Sequence, residues 1–159
     1  NGLEGKFVQV FWSPVHFPNQ PGTMGILCDP AHPALADFPT EMHSNWQWWD
    51  ICKNATTMDL DTLQNNLQPI VRMVDNFYKN RNLGLLFEAK VGKGKLLLCS
   101  SDLAKNLNSR PVACQLRYSL LKYMESDEFN PKEEVSFIRI KQAFHNVNGT
   151  KKEKKSIYD

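Results

Sequence analysis

Long apolar runs are missing from this sequence. No stretch approaches the roughly 18 residues that a membrane-spanning helix needs, so no membrane partner is expected. Charge of one sign is scarce as well. Nineteen Lys and Arg stand against 17 Asp and Glu, a formal net charge of +2. The closing segment KKEKKSIYD, residues 151–159, carries that whole excess, with four Lys against one Glu and one Asp. The rest of the chain is formally neutral. A nucleic-acid-binding body would show a basic face, so nucleic acid is not an expected partner. The Lys-rich end reads as a solvated tail. No signal peptide opens the chain. Asn1-Gly2-Leu3-Glu4-Gly5 leads at once into strand-like sequence. A piece cut from a longer protein is the expectation, which leaves the compartment open.

Cysteine is sparse, and none of Cys28, Cys52, Cys99 and Cys114 forms a C-x-x-C pair. A zinc site is therefore not expected. The cysteines read as small buried hydrophobes. One disulfide stays open, but four Cys do not make a disulfide scaffold in a chain this long. His32 and His43 with Asp29 or Asp37 lack the spacing of a metal site. Neither a metal nor a cofactor is expected. Cys28 or Cys99 beside His16, His32 or His43 could form a nucleophile and base, yet Leu96-Leu97-Leu98-Cys99-Ser100-Ser101 lacks a glycine-flanked elbow. Gly92-Lys93-Gly94-Lys95 lies between two strand-like runs with no helix N-terminus after it, so it reads as a turn and not as a phosphate loop. Glycoside cleavage needs two placed carboxylates. No spacing pairs any two of Asp29, Asp37, Glu41, Asp50 and Glu88. Asn54-Ala55-Thr56 and Asn148-Gly149-Thr150 fit glycosylation acceptors, a reading that means something only in a secreted eukaryotic protein.

What the sequence has in abundance is aromatic residues in one place. Three of its four tryptophans fall within His43-Ser44-Asn45-Trp46-Gln47-Trp48-Trp49-Asp50. Such a run either anchors a core or stacks on a flat ligand face, since indoles bury large areas and their N–H groups want partners. The core is the favoured reading. The segment Thr40–Cys52 holds no Pro or Gly and reads as a helix capped by Thr40 or Ser44. Met42, Trp46 and Trp49 would share one face, with Trp48 and Cys52 on an adjoining stripe. His43, Gln47 and Asp50 would share the remaining side.

The 159 residues, 42% of them hydrophobic, fit one domain with a real core. Strands are expected at Lys6–Trp12, Thr23–Cys28, Thr57–Leu60, Gln68–Phe77 and Leu83–Val91, the last joined through Gly92-Lys93-Gly94 to Lys95–Ser100 in a hairpin. A proline-rich loop with His16 follows the first strand. Pro33 starts a short helix through Phe38. Pro111 opens a helix through Met124, with Val112, Ala113, Leu116, Leu120 and Tyr123 inward. Glu133–His145 reads as a further amphipathic helix carrying Val135, Phe137, Ile138, Ile140 and Phe144. Disorder is expected after Asn146.

The segment Met24–Glu41, running into His43-Ser44-Asn45-Trp46-Gln47-Trp48-Trp49, resembles a region near the C-terminus of bacterial glycoside hydrolase family 2 proteins, the β-galactosidase-like enzymes. Leu83–Val91, the Gly92–Lys95 turn, Leu96–Cys99 and the Arg110-Pro111 helix are similar to the same region. The resemblance spans roughly residues 5–131. The closing hairpin and helix also resemble amidotransferase-like domains, whose fold is flavodoxin-like α/β and which accompany such enzymes as non-catalytic or oligomer-forming modules. The early strand–helix units and the G-x-C-x-G turn of those domains are missing here. Family 2 catalysis lies in a barrel with two glutamates, too large for this chain, so no catalytic residue carries over.

The resemblance implies a non-catalytic accessory domain acting in carbohydrate degradation, in an extracytoplasmic setting. Its expected partners are other domains of a parent glycoside hydrolase, a carbohydrate, or further copies in a homo-oligomer. The expected architecture is an α/β domain over residues 1–131, a mixed sheet with an antiparallel meander covered by helices near 43–53 and 111–124. A C-terminal helix and tail follow over 132–159. The alternative is an autonomous carbohydrate-binding module. Its candidate residues are Trp12, His16, His43, Asn45, Trp46 and Trp48. Exposure of Trp46 and Trp48 separates the two, because a core tryptophan cannot stack on sugar.

Overall fold

The longest strand of the structure, a computed structural model, is the element around which the others assemble. The structure describes residues 6–7, 22–23, 25–53, 55–64, 66–75 and 80–145. Their strands are β1 (Lys6–Phe7), β2 (Gly22–Thr23), β3 (Gly25–Cys28), β4 (Met58–Asp59), β5 (Val71–Val74), β6 (Leu83–Val91) and β7 (Gly94–Cys99). The helices are α1 (Trp46–Lys53), α2 (Pro111–Glu125) and α3 (Phe137–His145). A 3-10 turn spans Pro33–Leu35.

β6 is flanked on one side by β5 and then β3, and on the other by β7 and, further along, β4. Every pairing in this five-stranded sheet is antiparallel. Among the described residues, parallel pairing is confined to β1 with β2 and to a single bridge between Lys90 and Glu134. The α/β class, the antiparallel meander and the flanking helices are thus as expected. The sheet is not the parallel one that a flavodoxin-like fold has at its centre.

β6 reads LGLLFEAKV and is apolar almost throughout because both its faces are covered. On β5, Val71 faces Leu86 while Arg72 faces Gly84, so Leu85 is an extra residue on β6. This bulge shifts the alternation of side chains. Leu83, Leu85 and Leu86 all join one core, whereas Phe87 and Ala89 join the other. The first core holds Trp48, Ile51 and Cys52 of α1, Leu116, Leu120 and Tyr123 of α2, and Ala34, Leu35 and Phe38. The second holds Leu60, Leu63, Leu67, Val135 and Ile140. The result is a sheet between two layers. Gly84 faces this second layer closely. A Cβ there would come within 2.9 Å of Leu60 Cδ1, so any larger residue would force Leu60 to move.

The hairpin forms as expected. Val91 pairs with Gly94, and Gly92 sits at φ +58 in the left-handed region that glycine tolerates best. α2 starts on Pro111, whose fixed φ suits a first helical position. It buries Ala113, Leu116, Leu120 and Tyr123, with Ser119 beside them. Ser119 Oγ donates to Ala34 O at 2.8 Å and accepts from Asp37 N at 3.2 Å, which satisfies a hydroxyl in the core.

Several boundaries differ from expectation. The segment expected to begin a helix at Glu133 instead runs beside β6. Lys90 N donates to Glu133 O at 2.7 Å and Val135 N to Lys90 O at 2.8 Å. α3 therefore starts at Phe137. Its Ile140 is buried with Val135, while Phe137 and Ile138 lie exposed. The strand expected over Gln68–Phe77 is observed as Val71–Val74, and 76–77 lie outside the described residues. Most of Lys6–Trp12, the proline-rich loop and everything after His145 also lie outside them. Among the described residues no helix is long and apolar enough to cross a membrane.

Candidate functional site

The tryptophan segment begins where Pro39 ends the turn around Phe38. Residues 42 and 43 then run along the outer edge of β3. Cys28 N donates to Met42 O at 3.0 Å, and Leu27 and His43 form an antiparallel bridge. This pins the chain before α1. The helix is capped by neither Thr40 nor Ser44 but by Asn45. Its Oδ1 accepts from Gln47 N at 3.1 Å, satisfying an otherwise orphaned donor of the first turn. The helix is therefore shorter than Thr40–Cys52, and its phase is set at Asn45.

That phase buries Trp48, Ile51 and Cys52, spaced i, i+3, i+4. Trp48 is fully buried. Its Nε1 donates to Thr40 Oγ1 at 2.8 Å, and its ring meets Phe38 edge to face at 5.3 Å between centroids. Thr40, one of the two expected caps, thus serves the indole. Trp46, two residues earlier, is 81% exposed. Met42 and Leu27 are also large apolar side chains left in solvent. His43 is exposed, with its Nε2 3.7 Å from Glu41 Oε2.

The polar row of the helix is spent on structure. Gln47 Nε2 donates to Pro39 O at 2.8 Å. Asp50 Oδ2 accepts from Arg110 Nε at 2.8 Å. Arg110 Nη1 also donates to Asp102 O at 2.7 Å, and Nη2 to Asp50 O at 3.4 Å. One guanidinium thus ties α1 to the loop that precedes α2.

The six candidate ligand residues therefore separate. Trp12 and His16 lie outside the described residues. Trp48 is corrected to a core residue, because its ring has no face left for a ligand. Asn45 is only half-buried, but its carbonyl oxygen is engaged as a cap. Trp46 and His43 stay at the surface. Met42 is exposed as well, but it lies before the helix and not on the helical face expected to join it to Trp46 and Trp49.

The other chemical candidates are likewise accounted for. Glu88 is half-buried, and its Oε2 accepts from Tyr123 Oη at 2.7 Å. Burial, and then that carboxylate, raise the Tyr123 pKa. Asp75 Oδ2 and Oδ1 accept from Arg81 Nε and Nη2 at 2.7 and 2.8 Å, a two-pronged pairing. Asp37 pairs with Lys122, and Asp29 Oδ1 caps the turn at Ala31 N. Burial pushes the Cys52 thiol to about 12 and the Cys99 thiol to about 11, and it raises Cys28 too. An activated thiol is shifted the other way. Among the described residues no three His, Cys, Asp or Glu side chains gather as a metal-ligand set.

These features define an α/β domain with an antiparallel sheet, a structurally committed acidic set and an exposed indole at the start of α1. Over residues 1–145 the chain matches the family described as Domain of unknown function (DUF8487), and it belongs to that family. A comparison with curated proteins finds no match.

Proposed function

We propose that this chain is a non-catalytic accessory domain of a β-galactosidase-like glycoside hydrolase, acting in carbohydrate degradation. The observation that carries this reading is the engagement of its buried and half-buried carboxylates. Asp50, Asp75 and Glu88 are bound to Arg110, Arg81 and Tyr123. A glycosidase pair must instead face a scissile bond from about 5 to 9.5 Å apart. The resemblance of Met24–Trp49 and of the hairpin supports the same reading. The test is a chromogenic galactoside assay on the isolated chain. No turnover is expected. Turnover that disappears in Glu88→Gln or Glu41→Gln would overturn the reading.

Trp46 favours a second reading, an autonomous carbohydrate-binding module. An indole held on the first turn of a capped helix and open to solvent is a surface on which a sugar ring can stack. His43 and Glu41 supply polar side chains nearby in the chain. Titration with galacto-oligosaccharides while following tryptophan fluorescence tests it. Saturable quenching without turnover, lost in a folded Trp46→Ala variant, supports the module. Quenching that persists in that variant rejects Trp46 as the platform.

A further inference from the structure

The two edges of the sheet are finished differently. The outer edge of β3 is covered by the chain itself, through Met42 and His43. Among the described residues β7 has no such cover. Its pairing with β6 runs without a break from Val91↔Gly94 to Leu86↔Cys99. Lys90 sends both its N–H and its C=O to the far side of β6, to Glu133 and Val135. Lys95 stands opposite Lys90, so this is a pair without mutual hydrogen bonds. The backbone groups of Lys95 must then point outward. In an antiparallel ladder this state recurs at every second residue, which assigns the same outward direction to Leu97 and Cys99. Among the described residues, no backbone group pairs with that edge.

An open edge is normally blunted by proline, bulges, brevity or charge. From Leu96 to Cys99 β7 has no proline, no charge and no bulge. Its leucines are only half-buried. Leu97 lies against the first core, and Leu96 and Leu98 against the second. A strand laid alongside would satisfy the outward groups and extend both cores.

We infer that the outer edge of β7 is a self-association site, where β7 of a second copy pairs antiparallel with it about a two-fold axis at Leu97. This register matches Leu97 with its own copy and Lys95 with Cys99 of the second copy. It uses all three outward-facing residues, for six backbone hydrogen bonds. It also keeps the lysines at opposite ends, so no like charges face one another. Leu96 meets Leu98 of the second copy, closing the second core across the junction. The partner is identified by the edge being complementary to itself. The inference goes beyond the accessory-domain reading and does not depend on sugar binding.

The test combines sedimentation with amide hydrogen exchange on the full chain, each at dilute and concentrated protein. A monomer that converts to a dimer with concentration is expected. In the dimer the amides of Lys95, Leu97 and Cys99 slow by tenfold or more. Those of Leu96 and Leu98, already bonded to β6, keep their dilute rates. Leu97→Pro removes one outward donor without touching the β6 ladder and should abolish the dimer. If that variant does not fold, the exchange pattern of the unaltered chain decides. A chain monomeric at every concentration overturns the proposal. A dimer in which the three outward amides still exchange freely overturns it too.

Discussion

Trp46 and Trp48 sit on the same turn of the same short helix, yet one is 81% exposed and the other fully buried. Nothing in residue type separates them. The difference comes from where the helix begins. Asn45 caps it, and that start turns residues 48, 51 and 52 to the sheet and residue 46 away from it. Each indole is then treated according to its place. Trp48 has a hydrogen-bond partner in Thr40 and an aromatic neighbour in Phe38. A buried N–H without a partner would cost the desolvation of that group. Trp46 needs no such provision because water reaches it. A cluster of identical residues can thus divide between holding a fold together and meeting something outside it.

The division can be broken at its buried half first. Trp48→Ala removes a fully buried indole, and such truncations cost about 3–5 kcal/mol. Urea unfolding should show that loss or a chain that does not fold. Asp50→Ala comes next. It leaves Arg110, nearly buried, without its carboxylate, and hydrogen bonds to charged groups are worth roughly 1.5–3 kcal/mol. The same unfolding experiment should report about half the Trp48→Ala effect. Thr40→Val strands the Trp48 N–H while keeping the side-chain shape, for about 1–2 kcal/mol. A Thr40→Ser variant should recover most of it. Trp46→Ala is the smallest. Surface substitutions stay within roughly 0.5 kcal/mol, so its denaturation midpoint should coincide with that of the parent. A loss comparable to Trp48→Ala would show that Trp46 packs on the body, and the comparison would fail.

How much of this the sequence carries depends on how local the cause is. The β6–β7 hairpin is legible because apolar strands and a Gly-Lys-Gly turn lie within a few residues of each other. α2 is legible because Pro111 and an apolar period mark its start and inner face. The bulge at Leu85 is not, because it exists only against the register of β5. Nor is the strand-like run of Glu133–Val135, which β6 recruits through Lys90 from across the chain. Helix propensity there gives way to unpaired backbone on a neighbouring strand. The site shows the same limit. Thr40, Ser44 and Asn45 are all chemically fit to cap a helix, and the choice among them decides which tryptophan faces solvent. The pinning of Met42 and His43 on β3 makes that choice, and it is a long-range contact. Asp50 reads as a member of a polar row; its tie to Arg110, far along the chain, leaves no local mark in the sequence.

Trp48 serves the core, and in the binding-module reading we propose that the exposed Trp46 meets a sugar. Fluorine NMR of 5-fluorotryptophan-labelled protein tests it directly, with each resonance assigned by a single Trp→Phe variant. During titration with galacto-oligosaccharides the Trp46 resonance should move and saturate, while the Trp48 resonance stays where it is. A Trp46 resonance unmoved at saturating sugar, or a shift confined to Trp48, would contradict it.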